Sequence, residues 1–276
     1  MKFSAILLSF VIAGMTALDR TTPYPDASTV SHITSVMLPG EELVYEVSWM
    51  FFKLGKIRIK TLPPSSANSV IAFSSVAYSD SYNLPFVDFH AFSTSDMDST
   101  LFSKGSSLFE KKEDKWFRQI YLFSPSTRTY VTENSFVKDI HSQPMQPPTF
   151  DTLKLSYDRF QDGTSILYFV RAHAHDRRGI GVPTLVRGKA GKTNFYFPAE
   201  HTTETIDAVS YPIKVVEMEG KVEFEGIFGL TGDFTGWFSD DGAAVPIKAK
   251  MKIILGSITF ELKEWKRSGW SPPKAD

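Results

Sequence analysis

The segment His173-Ala174-His175-Asp176 holds two imidazoles and a carboxylate, which are groups that Zn²⁺ and related metals accept as ligands. On a strand, His173 and His175 would share one face and chelate together. The residues before them have helical periodicity, and on a helix two positions two residues apart are separated by about 200°. We therefore predict no metal site here. We interpret the histidines as the C-terminal end of a helix, where basic side chains are favoured by the dipole.

A second group of candidate ligands is acidic and consists of Asp233, Asp240 and Asp241, close to Gly242. Calcium loops combine spaced carboxylates with glycine. This group lacks both the regular spacing of such a loop and a distal bidentate glutamate, so the pattern favours tight turns. We predict neither a bound metal nor a cofactor.

Nucleophilic catalysis has little support in the sequence. The motif Gly-x-Ser-x-Gly does not occur, and the chain has no cysteine, which excludes disulfides and cysteine nucleophiles. The pairs Glu217/Glu219 and Glu223/Glu225 repeat at two-residue spacing, which is typical of the solvent face of a strand. Carboxylate pairs for glycoside hydrolysis are defined by their distance in space, so a hydrolase stays open as an alternative. We predict no catalytic residue.

Aromatic residues are the real excess, at 14% of the chain with 23 Phe. Most of these rings must be core, but a curved sheet with so many of them is also able to enclose an apolar cavity. Such cavities commonly bind ligands. We expect a binding site between a helix and the sheet, lined by Trp49, Phe89, Tyr168, Phe234 and Trp237.

The elements that would position these rings are mainly strands. Apolar and polar residues alternate from Glu42 to Met50 and again from Lys56 to Thr61, which predicts a β-hairpin. Short strand patterns separated by turns continue through the chain. One amphipathic helix is expected at Thr164–His175. The sequence predicts an all-β, mainly antiparallel fold: a strongly curved sheet, closed or half-closed into a barrel, with one packing helix. A two-sheet β-sandwich is the alternative.

The N-terminus is typical of a secretory signal peptide. Lys2 is followed by an apolar, uncharged stretch that ends in small residues near Ala17, and this stretch is too short to span a bilayer. We therefore expect export, to the periplasm or out of the cell. The predicted organisation is a signal peptide (1–17), a flexible lead-in (18–38), a single β-rich domain (39–266, with a division into halves near 142–149) and a disordered tail (267–276).

The formal net charge of the chain is −1, with 30 basic and 31 acidic residues. Nucleic-acid binding requires a basic patch or stripe, which this near-neutral balance argues against. Apolar runs after the N-terminus are interrupted by charges, so we expect a soluble protein or one that contacts a membrane peripherally. The oligomeric state is not indicated by the sequence.

Four segments of the chain carry a resemblance to known proteins. They are 40–49 (GEELVYEVSW), 162–171 (DGTSILYFVR), 236–241 followed by 246–249 (GWFSDD and PIKA), and the last strand from 255 (LGSI). In this order they resemble an uncharacterised bacterial family of exported β-rich domains with no assigned activity. The resemblance covers about residues 39–266. It implies an envelope location and one curved antiparallel sheet, and it brings no catalytic residues.

Three functions follow as hypotheses. The first is a non-enzymatic envelope protein that binds an apolar or amphiphilic ligand, such as a lipid, on the concave face of the sheet, by analogy with lipoprotein carriers and lipocalin-like barrels. The second is a cell-envelope hydrolase that uses Asp/Glu acid–base chemistry. The third is a scaffold that pairs with a partner through its sheet edges.

Overall fold

The structure is a computed structural model, and it describes residues 30–63, 71–82, 88–124, 126–176, 179–198, 201–222, 232–253 and 256–276. The expected signal peptide, 1–17, lies outside the described residues. Two helices are present, α1 (Val30–Val36) and α2 (Ser165–Ala172). The strands, in chain order, are β1 (Glu42–Trp49), β2 (Phe52–Thr61), β3 (Phe73–Ser81), β4 (His90–Met97), β5 (Ser103–Lys112), β6 (Lys115–Ser124), β7 (Thr129–Val137), β8 (Thr149–Lys154), β9 (Gly179–Val186), β10 (Lys189–Tyr196), β11 (His201–Glu204), β12 (Ile213–Val222), β13 (Gly232–Ser239), β14 (Pro246–Lys252) and β15 (Ser257–Lys266).

All of these strands belong to one sheet, whose order is β8-β7-β6-β5-β4-β3-β2-β1-β15-β14-β13-β12-β10-β9, with β11 beside β12. The first and last strands of the chain, β1 and β15, pair antiparallel in the middle of this order. From β1 the chain meanders outward to β8, crosses to β9 by way of α2, and meanders back to β15. The predicted hairpin of β1 and β2 is confirmed by their antiparallel register.

The two end strands, β8 and β9, do not pair with each other in the part of the chain that the structure describes. The segment between β8 and α2 crosses the gap instead. Gln161 forms a parallel bridge with Thr184 of β9, and its backbone N donates to Pro183 O at 2.8 Å. On the other side, Leu155 N donates to Arg128 O at 2.8 Å. The sheet is therefore a half-closed barrel, as predicted, and the two-sheet sandwich is excluded because the described strands form a single sheet.

The largest core cluster packs α2 against the strands that follow it. Phe169 and Val170 of α2 contact a set of buried side chains on β9, β10, β12 and β13, together with Phe102 and residues beyond α2. The members of this cluster from the strands are Val182, Phe195, Val216, Met218 and Phe238. Burial of this apolar surface holds α2 on the concave side of the sheet.

Three expectations about the elements outside the sheet need correction. The predicted single helix at Thr164–His175 is shorter, ending at Ala172, and it is not the only helix among the described residues. Residues 30–38, expected in the flexible lead-in, include α1, whose Ile33 and Val36 are buried with Met37 against Tyr168 and Ala172 of α2. The apolar side chains of α1 pack against α2, and this contact orders a segment whose composition alone is typical of a loop.

The C-terminal segment is ordered as well, although its composition predicts a disordered tail. Lys214 N donates to Pro273 O at 2.8 Å, and Tyr211 Oη donates to Pro272 O at 3.0 Å. The indole nitrogen of Trp270 donates to Asp241 Oδ2 at 2.7 Å. Backbone pairing with β12 and one anchored ring therefore fix residues 267–276, and neither interaction leaves a periodic pattern in the sequence.

Candidate functional site: a cavity between α2 and the sheet

A cavity of about 400 Å³ lies between α2 and the concave face of the half-barrel, and most of its surface is apolar. Side chains of α2 form one wall: Ile166, Leu167 and Val170. The opposite wall is built by strands from both halves of the sheet. Its members include Ile57, Ala77, Ala91, Leu108, Phe195, Met218, Ala249, Met251 and Phe260.

The cavity exists because small residues stand in register on adjacent strands. On one half of the sheet, Ser79 of β3 is paired with Ala91 of β4, and both line the cavity. On the other half, Gly236 of β13 is paired with Ala249 of β14, which is paired in turn with Phe260 of β15. Where paired positions carry small side chains, such as Ser79 with Ala91 and Gly236 with Ala249, the concave face has too little side-chain volume to fill the space below α2.

Two glycines on this face are closely approached by side chains of the paired strand. A Cβ at Gly236 would lie 2.8 Å from Met218 Cε, and a Cβ at Gly220 would lie 2.1 Å from Phe234 Cζ. The Met218 and Phe234 side chains therefore lie directly over the glycine backbone of the next strand. This arrangement holds both side chains in the wall of the cavity, where they are lining residues.

The start of α2 is fixed to the sheet by Asp162. Its Oδ2 accepts hydrogen bonds from Ser95 Oγ at 2.5 Å and Ser103 Oγ at 2.7 Å, and its Oδ1 accepts from the backbone N of Thr164 and Ser165, each at 2.8 Å. The last two bonds satisfy donors of the first helical turn. Burial raises the pKa of the Asp162 carboxyl above its ordinary value, although these four hydrogen bonds act in the opposite direction.

The end of α2 is fixed by Arg171, which is buried and forms an ion pair with the buried Glu41. The same guanidinium donates from Nη2 to Ala243 O at 3.1 Å. Arg267 also pairs with Glu41 and donates to the backbone oxygen of Ser35 in α1 at 2.5 Å. Burial alone would raise the pKa of Glu41, but the two guanidinium groups outweigh it and hold that pKa below 4.5.

One part of the cavity wall is charged. Glu110 of β5 and Arg187 in the turn between β9 and β10 both line the cavity, and Arg187 Nη2 donates to Glu110 Oε2 at 2.5 Å. Lys112 pairs with the other carboxylate oxygen of Glu110. Tyr121 is a further lining residue near this pair; burial raises its pKa above the ordinary value, while the charge of Arg187 opposes that shift. The cavity thus has an apolar body and a charged region at Arg187 and Glu110. The other charged residues of its lining are Asp162 and Lys248, and Lys248 Nζ donates to Glu204 Oε2 at 2.7 Å.

The five aromatic residues expected in the site are not all brought together. Phe89 and Phe234 line the cavity. Tyr168 lies on another side of α2, where its hydroxyl is 3.0 Å from Thr61 Oγ1 and where burial raises its pKa to about 12. Trp49 stacks on Phe52 at the β1–β2 turn, with 6.2 Å between ring centroids. Trp237 donates from Nε1 to Glu217 Oε2 at 2.9 Å and is not among the lining residues.

The polar members of the site, Asp162, Arg187 and Glu110, are not among the residues predicted from the sequence. Arg187 and Glu110 are 77 positions apart in the chain. Arg187-Gly188 is not one of the dipeptides, such as Asn-Gly or Asp-Gly, that mark a two-residue hairpin, so the sequence gives only a weak turn signal here. No local signal places that turn beside β5.

The histidine segment has structural partners. His173 Nδ1 lies 2.6 Å from Asp176 Oδ2, and His175 Nε2 lies 3.1 Å from Asp241 O. Asp241 also accepts from the backbone N of Ala243 at 2.9 Å, as expected of an aspartate that builds a tight turn. Within the described ranges, no group of three or more His, Asp or Glu residues is placed to hold a metal ion.

The carboxylates of the cavity bear on the hydrolase alternative. Both Asp162 and Glu110 line it, but each is committed to other groups. Asp162 accepts four hydrogen bonds, from Ser95, Ser103, Thr164 and Ser165, and Glu110 pairs with Arg187 and Lys112. A general acid or base must have an oxygen within reach of the substrate. Because the carboxylates of Asp162 and Glu110 are already hydrogen-bonded or ion-paired, the arrangement favours structural roles for both residues.

The scaffold alternative depends on the edge strands. All six residues of β8 are exposed, including Phe150 at 62% relative exposure, so this edge is uncovered. It also carries Asp151 and Lys154. Charged side chains on a short edge strand act against pairing with another chain. The edge therefore does not favour the scaffold function over ligand binding.

Comparison with known proteins gives information about the fold alone. No family model matches the chain, and no curated protein matches it. A solved structure described as a β-barrel-like protein of domain of unknown function DUF1849, from Brucella abortus, matches with a TM-score of 0.55 and 9% identity, over 83% of this chain and 97% of that one. This likeness agrees with a half-closed barrel.

Two mycobacterial structures match with lower scores. LprF from Mycobacterium bovis has a TM-score of 0.31 and 9% identity, over 91% of this chain and 99% of that one. The lipoprotein LppX from Mycobacterium tuberculosis has a TM-score of 0.24 and 12% identity, over 87% of this chain and 96% of that one. At these scores neither match supports an argument about the present chain. Among the helices that the structure describes, none has the length and apolar character needed to cross a membrane.

Proposed function

We propose that this is an exported cell-envelope protein that binds an apolar or amphiphilic molecule, such as a lipid, in the cavity between α2 and the sheet. The observation that supports this most directly is the cavity itself, with its volume of about 400 Å³ and its mainly apolar walls. Ligand sites in proteins typically have volumes of about 300–1,000 Å³ and apolar walls with few polar groups. The proposed function is binding rather than catalysis.

The energetics of such a site favour an aliphatic chain. Each methylene removed from water contributes about 0.8 kcal/mol, so a chain of about ten carbons gains about 8 kcal/mol before the cost of association. Small residues along the concave wall, such as Ala91, Ser79 and Ala249, do not obstruct the cavity, so an extended chain has room to lie along it. Branched or aromatic residues at those positions would fill it.

The wall formed by α2 is held in place, which supports a preformed site. Asp162 anchors its first turn and Arg171 its last turn, and both side chains are buried. A preformed cavity binds more tightly because little ordering is required when the ligand enters.

A titration series of straight-chain alcohols tests this proposal. The neutral reporter N-phenyl-1-naphthylamine would be bound first and then displaced by alcohols from octanol to tetradecanol. We expect each methylene to tighten binding by up to about fourfold until the cavity is full, after which affinity levels off. No displacement by any alcohol, or an affinity independent of chain length, would contradict the proposal.

Export to the periplasm or out of the cell belongs to the same proposal and is supported by the N-terminal pattern of residues 1–17. Peripheral contact with a membrane is supported by the β1–β2 turn, where Met50 and Phe51 have relative exposures of 63% and 79%. Exposed apolar side chains at a turn are suited to insertion into a lipid surface. Cell fractionation tests the first point, and vesicle sedimentation of wild type against Phe51→Asp tests the second.

A further inference from the structure

The charged region of the cavity, at Arg187 and Glu110, determines which head group a bound amphiphile can carry. We infer that the cavity selects amphiphiles with an anionic head group, a carboxylate or a phosphate, which Arg187 binds at the charged part of the wall. The inference rests on the proposed function and specifies its ligand class.

The position of the pair is the first support. Glu110 belongs to β5 and Arg187 to the β9–β10 turn, and these strands lie in opposite halves of the sheet. The ion pair, with Nη2 and Oε2 separated by 2.5 Å, therefore spans the space between two walls. Both residues line a cavity whose other walls are mainly apolar. An amphiphile that places its chain against the apolar body brings its head group to this pair.

The charge balance is the second support. Two cations, Arg187 and Lys112, share the single carboxylate of Glu110, so the cluster carries one surplus positive charge. The other charged groups of the lining are Asp162, which accepts four hydrogen bonds, and Lys248, which is paired with Glu204 and Glu261. An anionic head group is attracted to such a cluster, whereas a cationic one is repelled.

The donor capacity of Arg187 is the third support. A guanidinium has five N–H donors in a planar fork that matches a carboxylate or phosphate. Among the residues that the structure describes, the hydrogen bond of this side chain is to Glu110 through Nη2. The side chain of Arg187 is 36% exposed, while that of Glu110 is 9% exposed. The remaining donors of Arg187 are accessible to a head group that enters beside Glu110.

The backbone at this position allows a clean test. Arg187 has φ 52° and Gly188 has φ 73°, so both residues of this two-residue hairpin turn are left-handed. Asn is favoured over Arg in this conformation. The variant Arg187→Asn therefore keeps the turn while it removes the guanidinium. Arg118 is a matched control, because it pairs with Glu133 at 2.5 Å and does not line the cavity.

The experiment compares displacement of bound N-phenyl-1-naphthylamine by dodecanoate, dodecyl phosphate and dodecanol, which share one alkyl chain. We expect wild type and Arg118→Gln to bind at least one of the two anions about tenfold more tightly than dodecanol, the size of a charge-assisted hydrogen bond. In Arg187→Asn we expect the ratio of anion affinity to dodecanol affinity to fall to within about twofold. Whichever anion shows the larger preference identifies the head-group chemistry.

Two other outcomes are distinguishable. Equal binding of all three ligands by wild type would overturn the anionic head group. A preference that persists in Arg187→Asn would overturn the assignment of that preference to Arg187. Either result leaves the proposed function standing. Failure of all three ligands, dodecanol included, to displace the reporter would contradict the proposed function itself, and the inference with it. Thermal unfolding of each variant, expected near that of wild type, confirms that the turn is intact.

Discussion

The guanidinium of Arg171 contacts both carboxylate oxygens of Glu41, with Nη1–Oε1 at 2.6 Å and Nη2–Oε2 at 3.0 Å. Both side chains are buried, and 130 residues separate them in the chain. The pair joins the last turn of α2 to the segment that precedes β1. Because α2 is one wall of the cavity, this contact links the stability of the fold to the geometry of the candidate site.

Replacement of Glu41 by Gln leaves Arg171 buried without a carboxylate partner. We expect Glu41→Gln to lower the free energy of unfolding by about 3–5 kcal/mol, the cost typical of breaking a buried ion pair. Urea denaturation measures this value. The control is Glu264→Gln, whose carboxylate is 67% exposed and lies 3.9 Å from Lys56, and which should cost less than about 1 kcal/mol. Equal effects of the two variants would show that the pair does not stabilise the fold.

The same pair predicts the acid sensitivity of the protein. The pKa of Glu41 lies below 4.5 in the folded state, so its contribution is fully present above that pH and is lost as the pH falls through the folded-state pKa. The difference in unfolding free energy between wild type and Glu41→Gln should be constant from pH 7 to pH 5 and shrink at lower pH. Asp162 titrates in both proteins, and its contribution cancels. A difference that grows on acidification would contradict this sign.

The two faces of β13 give a direct test of the cavity wall. Phe234 lines the cavity, whereas Trp237, on the same strand, donates to Glu217 and has Lys250 over its ring, 5.5 Å from the centroid. We expect Phe234→Ala to weaken binding of N-phenyl-1-naphthylamine by about tenfold, because an aromatic contact is lost. Trp237→Ala should leave binding within about twofold. Reversal of this order would place the ligand on the other face of the sheet.

Filling the cavity should remove binding while the fold is kept. Ala249 is the middle residue of the row Gly236, Ala249 and Phe260, and Ala249→Phe places a ring in the space that this row leaves open. We expect at least tenfold weaker reporter binding, with a free energy of unfolding within about 1–3 kcal/mol of wild type. Lys250→Phe adds a ring at the next residue of the strand, outside the lining, and serves as the control. Unchanged binding in Ala249→Phe would exclude this cavity as the site.

The fold could be predicted largely from local alternation, because each strand of a meander pairs with its neighbour in sequence. β1 and β2 illustrate this, since a clear two-residue period and a short turn were enough to predict their pairing. The contact of β1 with β15 lies between opposite ends of the chain. Local pattern carries no signal for such long-range pairing, so the sequence could not decide between a closed and a half-closed barrel.

The site was predicted only in outline. Its place between the helix and the sheet agrees with the observed cavity, and two of the expected rings, Phe89 and Phe234, line it. The role of the five rings in ligand binding stays a prediction. Small residues such as Ala91 and Gly236 produce the cavity, and their effect depends on strand register, which a one-residue shift would reverse. Arg187 and Glu110 are likewise joined only by the folded geometry.

The most direct test of ligand binding is native mass spectrometry of the protein purified from the cell-envelope fraction, followed by organic extraction and lipid analysis. We expect a bound apolar or amphiphilic molecule at near-stoichiometric level, released by the extraction and reduced in Ala249→Phe. A mass equal to that of the polypeptide alone under every mild condition, for wild type as well as for this variant, would contradict the proposed function.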